Sequence, residues 1–505
     1  MSSALDEAAA PPAPDPHRWR ALAVLLTASF LDLIDSTIVN IALPKIRADI
    51  DASFADIQWI TGGYTLTFAI GLITGGRLGD IFGRKRLFLI GVGGFTIASA
   101  LCAVAGGPEM LITARVLQGA MASLMVPQVL SIIHVTFPAE ERGKVFGMVG
   151  AIFGIGAVAG PLIGAVLTEW NLFGLEWRPI FLINLPIGIA GVLIGLRVIN
   201  DSRATDALRL DLVGVFLAAA TMLALLYPLT QGRELGWPAW SFGCLAGSLV
   251  LVVVFVLYQR SRLRQGKSAL VELPLFRLKS FAGGIALQLT FSVSFGIFGL
   301  VGALYLQIGL GWSPLRAGLV TIPLSIAVAL LAGRSIKSFV PKYGRKVLQA
   351  GTLIMLVGAL LYLWEARHFG TDIQAWHVLL AMAVVGVGMG LIVAPLSSAI
   401  LSEVPFSHAG SASGLVTTTM QLGTAIGLGL TSLSFFRGLD GSVGRGPTAD
   451  DYVDAFSTSL WWVVAGFAIV FLLVFALPKN GGVFTFTPPP EEEADGESAA
   501  AAPAH

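Results

Sequence analysis

The sequence predicts an all-α integral membrane protein with fourteen transmembrane helices, arranged as two six-helix halves and two inserted helices. Three observations predict it: a composition suited to lipid, the count of long apolar runs, and the placement of positive charge. Hydrophobic residues make up 55% of the chain and charged residues 12%, whereas soluble domains carry about 25% charge. The mean hydropathy of +0.80 agrees. A net charge of +1 excludes a nucleic-acid binder, which would need to neutralise many phosphates. Cys102 and Cys244 both sit in apolar runs, so neither a disulfide framework nor a thiolate metal site is expected.

A span needs about 20 apolar residues to cross the hydrocarbon. Residues 1–19 precede the first run as an Ala- and Pro-rich tail, expected to be disordered and cytoplasmic. They lack the basic n-region of a cleavable signal, so the first span is expected to stay in the mature protein. Runs at 20–43, 57–77, 86–107, 109–133, 144–168 and 178–199 fill a first half over 20–200. Runs at 211–230 and 239–258, with a basic linker, form an insert over 201–280. Runs at 281–308, 315–337, 347–366, 376–401, 413–437 and 455–477 fill a second half over 281–478. The tail 479–505, acidic at Glu491–Glu493 and rich in Ala, reads as solvated disorder. Links as short as Gly106–Pro108 and Gly311–Pro314 suit antiparallel neighbours. Membrane barrels instead show alternating segments of about ten residues.

Charge placement tests the count independently. With the N-terminus inside and an even number of spans, most of the 32 Lys and Arg fall in cytoplasmic segments. Lys45, Arg47, Arg178, Arg233, Arg316, Arg367, Arg437 and Arg445 fall outside, and Arg115 lies within the membrane. The positive-inside rule expects this asymmetry, and one missed span would invert it downstream. Both termini are therefore expected in the cytoplasm. Gly83-Arg84-Lys85 after the second run reappears as Gly344-Arg345-Lys346 after the tenth. Parallel repeats of six-helix halves are a transporter plan with substrate handled between them. Within the basic linker, Leu273–Phe276 reads either as a surface-lying segment or as part of a solvated linker.

Chemistry enters with charges inside the apolar runs. Asp32 and Asp35 lie in the first run, one turn apart on the same face. Ionised side chains near the membrane centre cost a few kcal/mol or more each, so such an acid reads as part of a proton or ion pathway. Arg115 lies about six residues into the fourth run and Asp35 about seven from the outer end of the first. At about 1.5 Å per residue these depths match, making Asp35 or Asp32 the expected partner of Arg115. A static ion pair holding two helices together is the plainer alternative.

The loop Gly76-Arg-Leu-Gly-Asp80-Ile-Phe-Gly83-Arg84-Lys85 combines turn-permitting glycines with an acid and a base able to pair. It resembles the loop between spans 2 and 3 of the major facilitator superfamily. The resemblance implies a conformational latch of Gly76, Asp80, Gly83 and Arg84, with Asp80 docking near Ser413 of the thirteenth run. The second-half copy has Pro341, Lys342 and Tyr343 where an acid is sought, so no matching latch is expected there. Arg115-Val-Leu-Gln-Gly119 resembles the superfamily's span-4 motif, whose arginine is linked to proton handling. Gly156, Gly160, Pro161 and Gly164 are small residues four apart with a helix-bending proline. They resemble the superfamily's antiporter motif, which implies export. Asp35–Pro44, Trp177–Gly188 and Gln421–Gly427 resemble segments of the fourteen-span drug:proton antiporters, a likeness extending over residues 20 to 478. Asp35 is then the span-1 acid, Asp32 an accessory proton site or substrate contact, and Asn40 and Pro44 shape the outer end of the span.

The expected function is proton-coupled export of hydrophobic, in part cationic, drugs or toxic small molecules by alternating access. Burial penalises charge on Asp35 while Arg115 stabilises it, and helix motion can tip that balance. No cofactor is expected, since the proton gradient supplies the energy. The expected partners are the small-molecule cargo, protons and the plasma-membrane bilayer, with the protein a monomer. Following the family plan, Phe30, Trp59, Tyr64, Met121, Met125, Gln288, Phe291, Phe295, Phe298, Met389 and Gln421 are the candidate cavity linings. Methionines and flat aromatics suit varied apolar ligands. No deep acid is expected in the second half, because Glu365 and Glu403 sit at helix ends. Alternatives are an exporter dedicated to one endogenous metabolite, lipid or siderophore, and a symporter. An enzyme is not expected: His17, His134, His368, His377, His408 and His505 are scattered without ligand spacing, and no phosphate-binding loop is present.

Overall fold

The computed structural model describes residues 16–171, 174–203, 211–232, 235–267, 269–404, 409–437, 439 and 447–477. Nearly all of both expected tails lies outside these residues. In the first half the helices are α1 (Arg18–Asp49), α2 (Phe54–Phe82), α3 (Arg84–Ala103), α4 (Pro108–Thr136), α5 (Ala139–Glu169), α6 (Pro179–Leu182) and α7 (Asn184–Val198). The insert supplies α8 (Leu212–Gln231) and α9 (Ala239–Arg264), and the linker holds a 3-10 turn at Leu273–Arg277. Then follow α10 (Lys279–Leu304), α11 (Pro314–Leu319), α12 (Ile322–Arg334), α13 (Val340–Tyr343), α14 (Lys346–Phe369), α15 (Ala375–Leu401), α16 (Ala409–Ser434) and α17 (Ala449–Val474). Among the described residues no strand occurs.

Eleven of these stretches are long and apolar enough to cross a membrane, counting Pro179–Val198 and Pro314–Tyr343 each as one. Of the other three expected runs, two fall within α2 and α5, of 29 and 31 residues, and the third overlaps α16, of 26 residues, which ends at Ser434, three residues short of the expected bound. The sixth run breaks at Ile183 between α6 and α7, and the tenth is interrupted by a π turn at Ser335–Phe339. Pro44 lies inside α1 without ending it, so the helix runs on to Asp49. There Asp49 accepts from the Trp177 indole at 2.9 Å and from Arg178 at 2.8 Å.

The same packing pairs recur in the two halves. In the first, α2 and α3 pack on α4, α1 packs on α5 and α7, and α3 on α7; in the second, α12 and α14 pack on α15, α10 on α16 and α17, and α14 on α17. Glycine makes the close pairs possible. A Cβ at Gly423 or Gly427 of α16 would collide with the α10 backbone at Leu289 and Val293, and one at Gly296 would meet Thr424. The halves touch through α2 against α16 and α5 against α11 and α12. The Phe54 ring meets that of Phe436 in a tilted pair, centroids 4.2 Å apart, and Ser432 donates to Gln58 at 2.9 Å. α8 packs on both α2 and α16, closing their seam. Gln58, Trp59, Gly62, Leu226, Thr230, Ala425, Leu428 and Gly429 bound a small cavity there.

Replacing Gly427 by Val should force α10 and α16 apart, at a cost of about 1–3 kcal/mol. The purified protein in detergent should then unfold at a lower temperature than wild type. An unchanged midpoint would show that this close approach is dispensable.

Candidate functional site

Asp35 and Arg115 meet in the interior of the first half. Both are 0% exposed, and Arg115 Nη1 donates to Asp35 Oδ2 at 2.5 Å. The other carboxylate oxygen accepts from Gln118 Nε2 and Asn184 Nδ2, each at 2.8 Å. Ser99 ties these amides together, accepting from Gln118 at 2.8 Å and Asn184 at 3.2 Å. Four elements, α1, α3, α4 and α7, thus converge on one acid. On the cation, Nη1 also donates to Gln118 Oε1 at 2.7 Å and Nε donates to the Ile60 carbonyl at 3.1 Å. Arg115 Nη2 is buried without a hydrogen-bond acceptor. A buried ion pair persists only when further hydrogen bonds satisfy its remaining lone pairs and protons. Here both carboxylate oxygens are occupied, by three donors in all, and the guanidinium keeps the two N–H groups of Nη2 spare.

Asp32 does not share that pair. It remains 9% exposed and accepts from the Tyr64 hydroxyl of α2. The Tyr64 ring lies beneath the Arg115 guanidinium, 4.2 Å from its centroid. α2 reaches this position because Gly119 of α4 leaves room for the Tyr64 carbonyl and the Thr67 hydroxyl.

The glycines Gly156, Gly160 and Gly164 of α5 line up against α1, facing Leu33 and Phe30, Thr37, and Ile38 respectively. On another side of α5, the Pro161 carbonyl and Ala165 face Gly318 of α11. One helix therefore touches both the acid-bearing α1 and the second half.

The expected loop is helical except at Gly83: Gly76 and Asp80 lie in the last turns of α2 and Arg84 opens α3, with Arg84 pairing with Asp80 at 2.8 Å, Gly76 facing Pro127 of α4 and Gly83 taking φ +104°. The Arg84 amide donates to the Ser202 carbonyl at 3.0 Å, docking this junction on the chain just beyond α7. Asp80 is thus engaged within its own motif, while the Ser413 side chain expected to receive it lies outside the described residues. The second-half counterpart holds no acid: Arg345 donates to the Phe475 and Leu477 carbonyls, each at 2.9 Å, beyond α17.

The candidate cavity linings divide by location. Tyr64 joins the charged site. Met121 and Met125 pack against Gly94 and Gly91 of α3, inside the first half rather than between the halves. Trp59 lies in the seam with α8, 6.2 Å from the Tyr227 ring. Phe291, Phe295 and Phe298 form a ladder along α10 with centroids 6.2 Å apart, and Phe298 meets Tyr362 at 6.3 Å. Gln288 donates to Ser292 at 3.0 Å, Phe30 and Met389 are half-buried beside the core, and Gln421 is half-buried on α16.

Sequence reasoning missed Gln118 and Asn184 as partners of Asp35, and Ser99 as the group that joins their amides, although each is a polar residue in an apolar run. It also placed no buried acid in the second half. Glu365 stands near the end of α14 but is only 3% exposed, with Oε2 unpaired. Glu403, by contrast, is exposed and accepts from the Ser280 hydroxyl at 2.6 Å.

A profile of the Major Facilitator Superfamily matches residues 25–428. Over 440 residues the chain is 43% identical to a probable actinorhodin transporter of Streptomyces coelicolor, covering 86% of this chain and 75% of that one. It is 33% identical to a tetracenomycin C resistance and export protein of Streptomyces glaucescens, covering 81% and 74%. It is 32% identical to a cephamycin export protein of Amycolatopsis lactamdurans, covering 93% and 94%. Among solved structures, a D-xylose–proton symporter aligns with TM-score 0.63 at 16% identity over 92% of this chain and 98% of that one. An auto-inhibited peptide transporter aligns with TM-score 0.65 at 15% identity, over 92% and 96%. At those identities the likeness speaks to fold.

Asn184→Leu should leave Asp35 one donor short, at a cost of about 1–3 kcal/mol. Its thermal midpoint in detergent should fall below that of a lipid-facing control such as Leu193→Ala. A midpoint equal to the control would remove Asn184 from the network.

Proposed function

Because the chain belongs to the major facilitator superfamily, whose members are membrane transporters and not enzymes, we propose that it is a proton-coupled exporter of apolar small molecules, cations among them. The observation that carries this reading is the sealed Asp35–Arg115 pair. A titratable acid inside a membrane bundle, balanced by a cation on another helix, suits a group that loads and releases a proton. Relatives concerned with export or resistance support the outward direction.

All fourteen stretches cross the plasma membrane in this reading, both termini lie in the cytoplasm, and the protein works as a monomer. The end where α1 stops and α2 begins is then the outer end. The contacts of Gln58 with Ser432 and of Phe54 with Phe436 close the halves there. The cycle requires that seam to open. α5, touching both α1 and α11, carries the movement to the acid, and breaking the pair from Arg115 lets Asp35 take a proton from outside. Re-forming the pair expels the proton inward. Each inward proton supplies about 2.3 kcal/mol per 100 mV of membrane potential. Asp80 and Arg84 steady the inner end, and Asp32 offers a counter-charge to cationic cargo. Of the aromatic ladder of α10, the half-buried Phe295 offers a ring for flat apolar cargo, while Phe291 and Phe298 are buried in the core.

A second reading, an exporter dedicated to one compound, is favoured by relatives whose names specify a single compound each. The two separate by the range of compounds moved.

Ethidium efflux from energised vesicles tests the coupling. Wild-type efflux should stop on adding an uncoupler, and Asp35→Asn or Arg115→Ala should reduce it at least about tenfold while the protein remains folded and inserted, since each breaks a buried pair. Undiminished uncoupler-sensitive efflux by Asp35→Asn would refute its role. Asp32→Asn should reduce efflux of cationic dyes more than that of neutral ones, measured side by side; equal losses would contradict a counter-charge.

A further inference from the structure

The two acids of α1 differ in what they can reach, and one side chain connects them. Asp35 is sealed, with both oxygens occupied, whereas Asp32 keeps some exposure. Tyr64 touches both settings: its hydroxyl donates to Asp32 and its ring face supports Arg115, the partner of Asp35. Its backbone is fixed, because the Tyr64 carbonyl is lodged against Gly119 and Thr67 Oγ1 donates to the Val116 carbonyl at 3.0 Å. With the backbone held, any response must come from the ring and hydroxyl of this buried side chain.

We propose that Tyr64 is the positioning residue that couples occupancy of Asp32 to the Asp35–Arg115 pair, an inference that rests on the proton-coupled reading above. While its hydroxyl satisfies Asp32, that carboxylate does not compete for Arg115. The buried Nη2 of Arg115 has no acceptor and is the donor that competition would claim. When the hydroxyl withdraws, an ionised Asp32 draws the guanidinium away from Asp35, and Asp35 accepts a proton. A proton or a cationic cargo on Asp32 cancels its negative charge, so Arg115 stays with Asp35. The arrangement has two discrete states, as a coupling element requires. Cation binding at Asp32 and proton binding at Asp35 are thereby opposed, which is the relation that exchange of one for the other needs.

Labelling of carboxyl groups tests this without any transport. The purified full-length protein in detergent is treated with dicyclohexylcarbodiimide, which attacks protonated carboxyls in apolar surroundings, and the labelled positions are found by mass spectrometry. Wild type should protect Asp35. Tyr64→Phe, which keeps the ring and removes the hydroxyl, should raise labelling of Asp35 by at least about tenfold, the scale of a hydrogen bond to a charged group. Adding Asp32→Asn to Tyr64→Phe should restore protection, because the competitor is gone; a merely structural role for Tyr64 predicts no such rescue. Tetraphenylphosphonium, used as a cationic probe, should lower Asp35 labelling in Tyr64→Phe. Unchanged labelling of Asp35 in a folded Tyr64→Phe protein, or labelling that the second substitution does not reverse, would overturn the proposal. If wild type instead shows the predicted labelling pattern yet moves no dye in response to a gradient, the export reading fails and this coupling stands.

Discussion

Keeping an ionised acid out of water constrains the whole first half. Asp35 is tolerable inside the bundle only because Arg115, Gln118 and Asn184 reach it from other helices. Each donor fixes the approach of its own helix. α4 must come close enough for Arg115, so Gly119 stands where α2 would otherwise collide with it. α3 supplies Ser99 to hold the two amides, and α7 begins at Asn184 so that its first side chain points inward. Removing one partner of such a pair costs about 3–5 kcal/mol, because an uncompensated charge stays behind. The polar centre therefore selects one arrangement of helices that apolar packing alone would leave less defined.

Small residues turn that fixed centre into something able to move. Gly156, Gly160 and Gly164 give α5 a smooth face against α1, without side chains to unlock when the helices slide. Elsewhere on the same helix, Pro161 and Ala165 meet Gly318 of the second half. Lys45 adds a tether near the end of this pair, donating to the Thr168 carbonyl at 2.6 Å. A displacement of one half relative to the other thus reaches α1 chiefly through α5, with lesser direct contacts of α1 on α10 and α11. The insert acts at a different seam. At the start of α8 it is pinned by Asp211, which accepts from Tyr258 and Gln259 at 2.9 Å each, while the far end of α8, at Leu226 and Thr230, lies against α2 and α16.

Much of this was legible in the sequence. Long uninterrupted apolar runs and their charge bias identify helices in lipid, and Asp35 with Arg115 stand out because charge is so costly there. Helix ends were less legible. α1 continues past Pro44 because later carbonyls still find donors and Asp49 is anchored by Trp177. The break at Ile183 follows from Pro186, which has no N–H for the Leu182 carbonyl, and the restart at Asn184 leaves that side chain on Asp35. Uncharged partners such as Gln118 and Ser99 were invisible as a set because four helices distant in sequence bring them together. The family plan and their side-chain type make Met121 and Met125 candidate cavity linings, but the glycines Gly94 and Gly91 that receive them lie on α3. Burial of Glu365 likewise depends on neighbours across the bundle, which position along α14 does not reveal.

The central claim is that the Asp35–Arg115 pair exchanges a proton gradient for movement of cargo. Purified protein in sealed vesicles, with voltage clamped at zero by potassium and valinomycin, isolates the chemical part of that gradient. Ethidium and internal pH are then followed together after an acid step on the side corresponding to the cell exterior. The account predicts that ethidium moves uphill toward the acid side while protons enter, and that reversing the pH step reverses the dye. Uphill movement that persists with the pH difference and the voltage both abolished would contradict it.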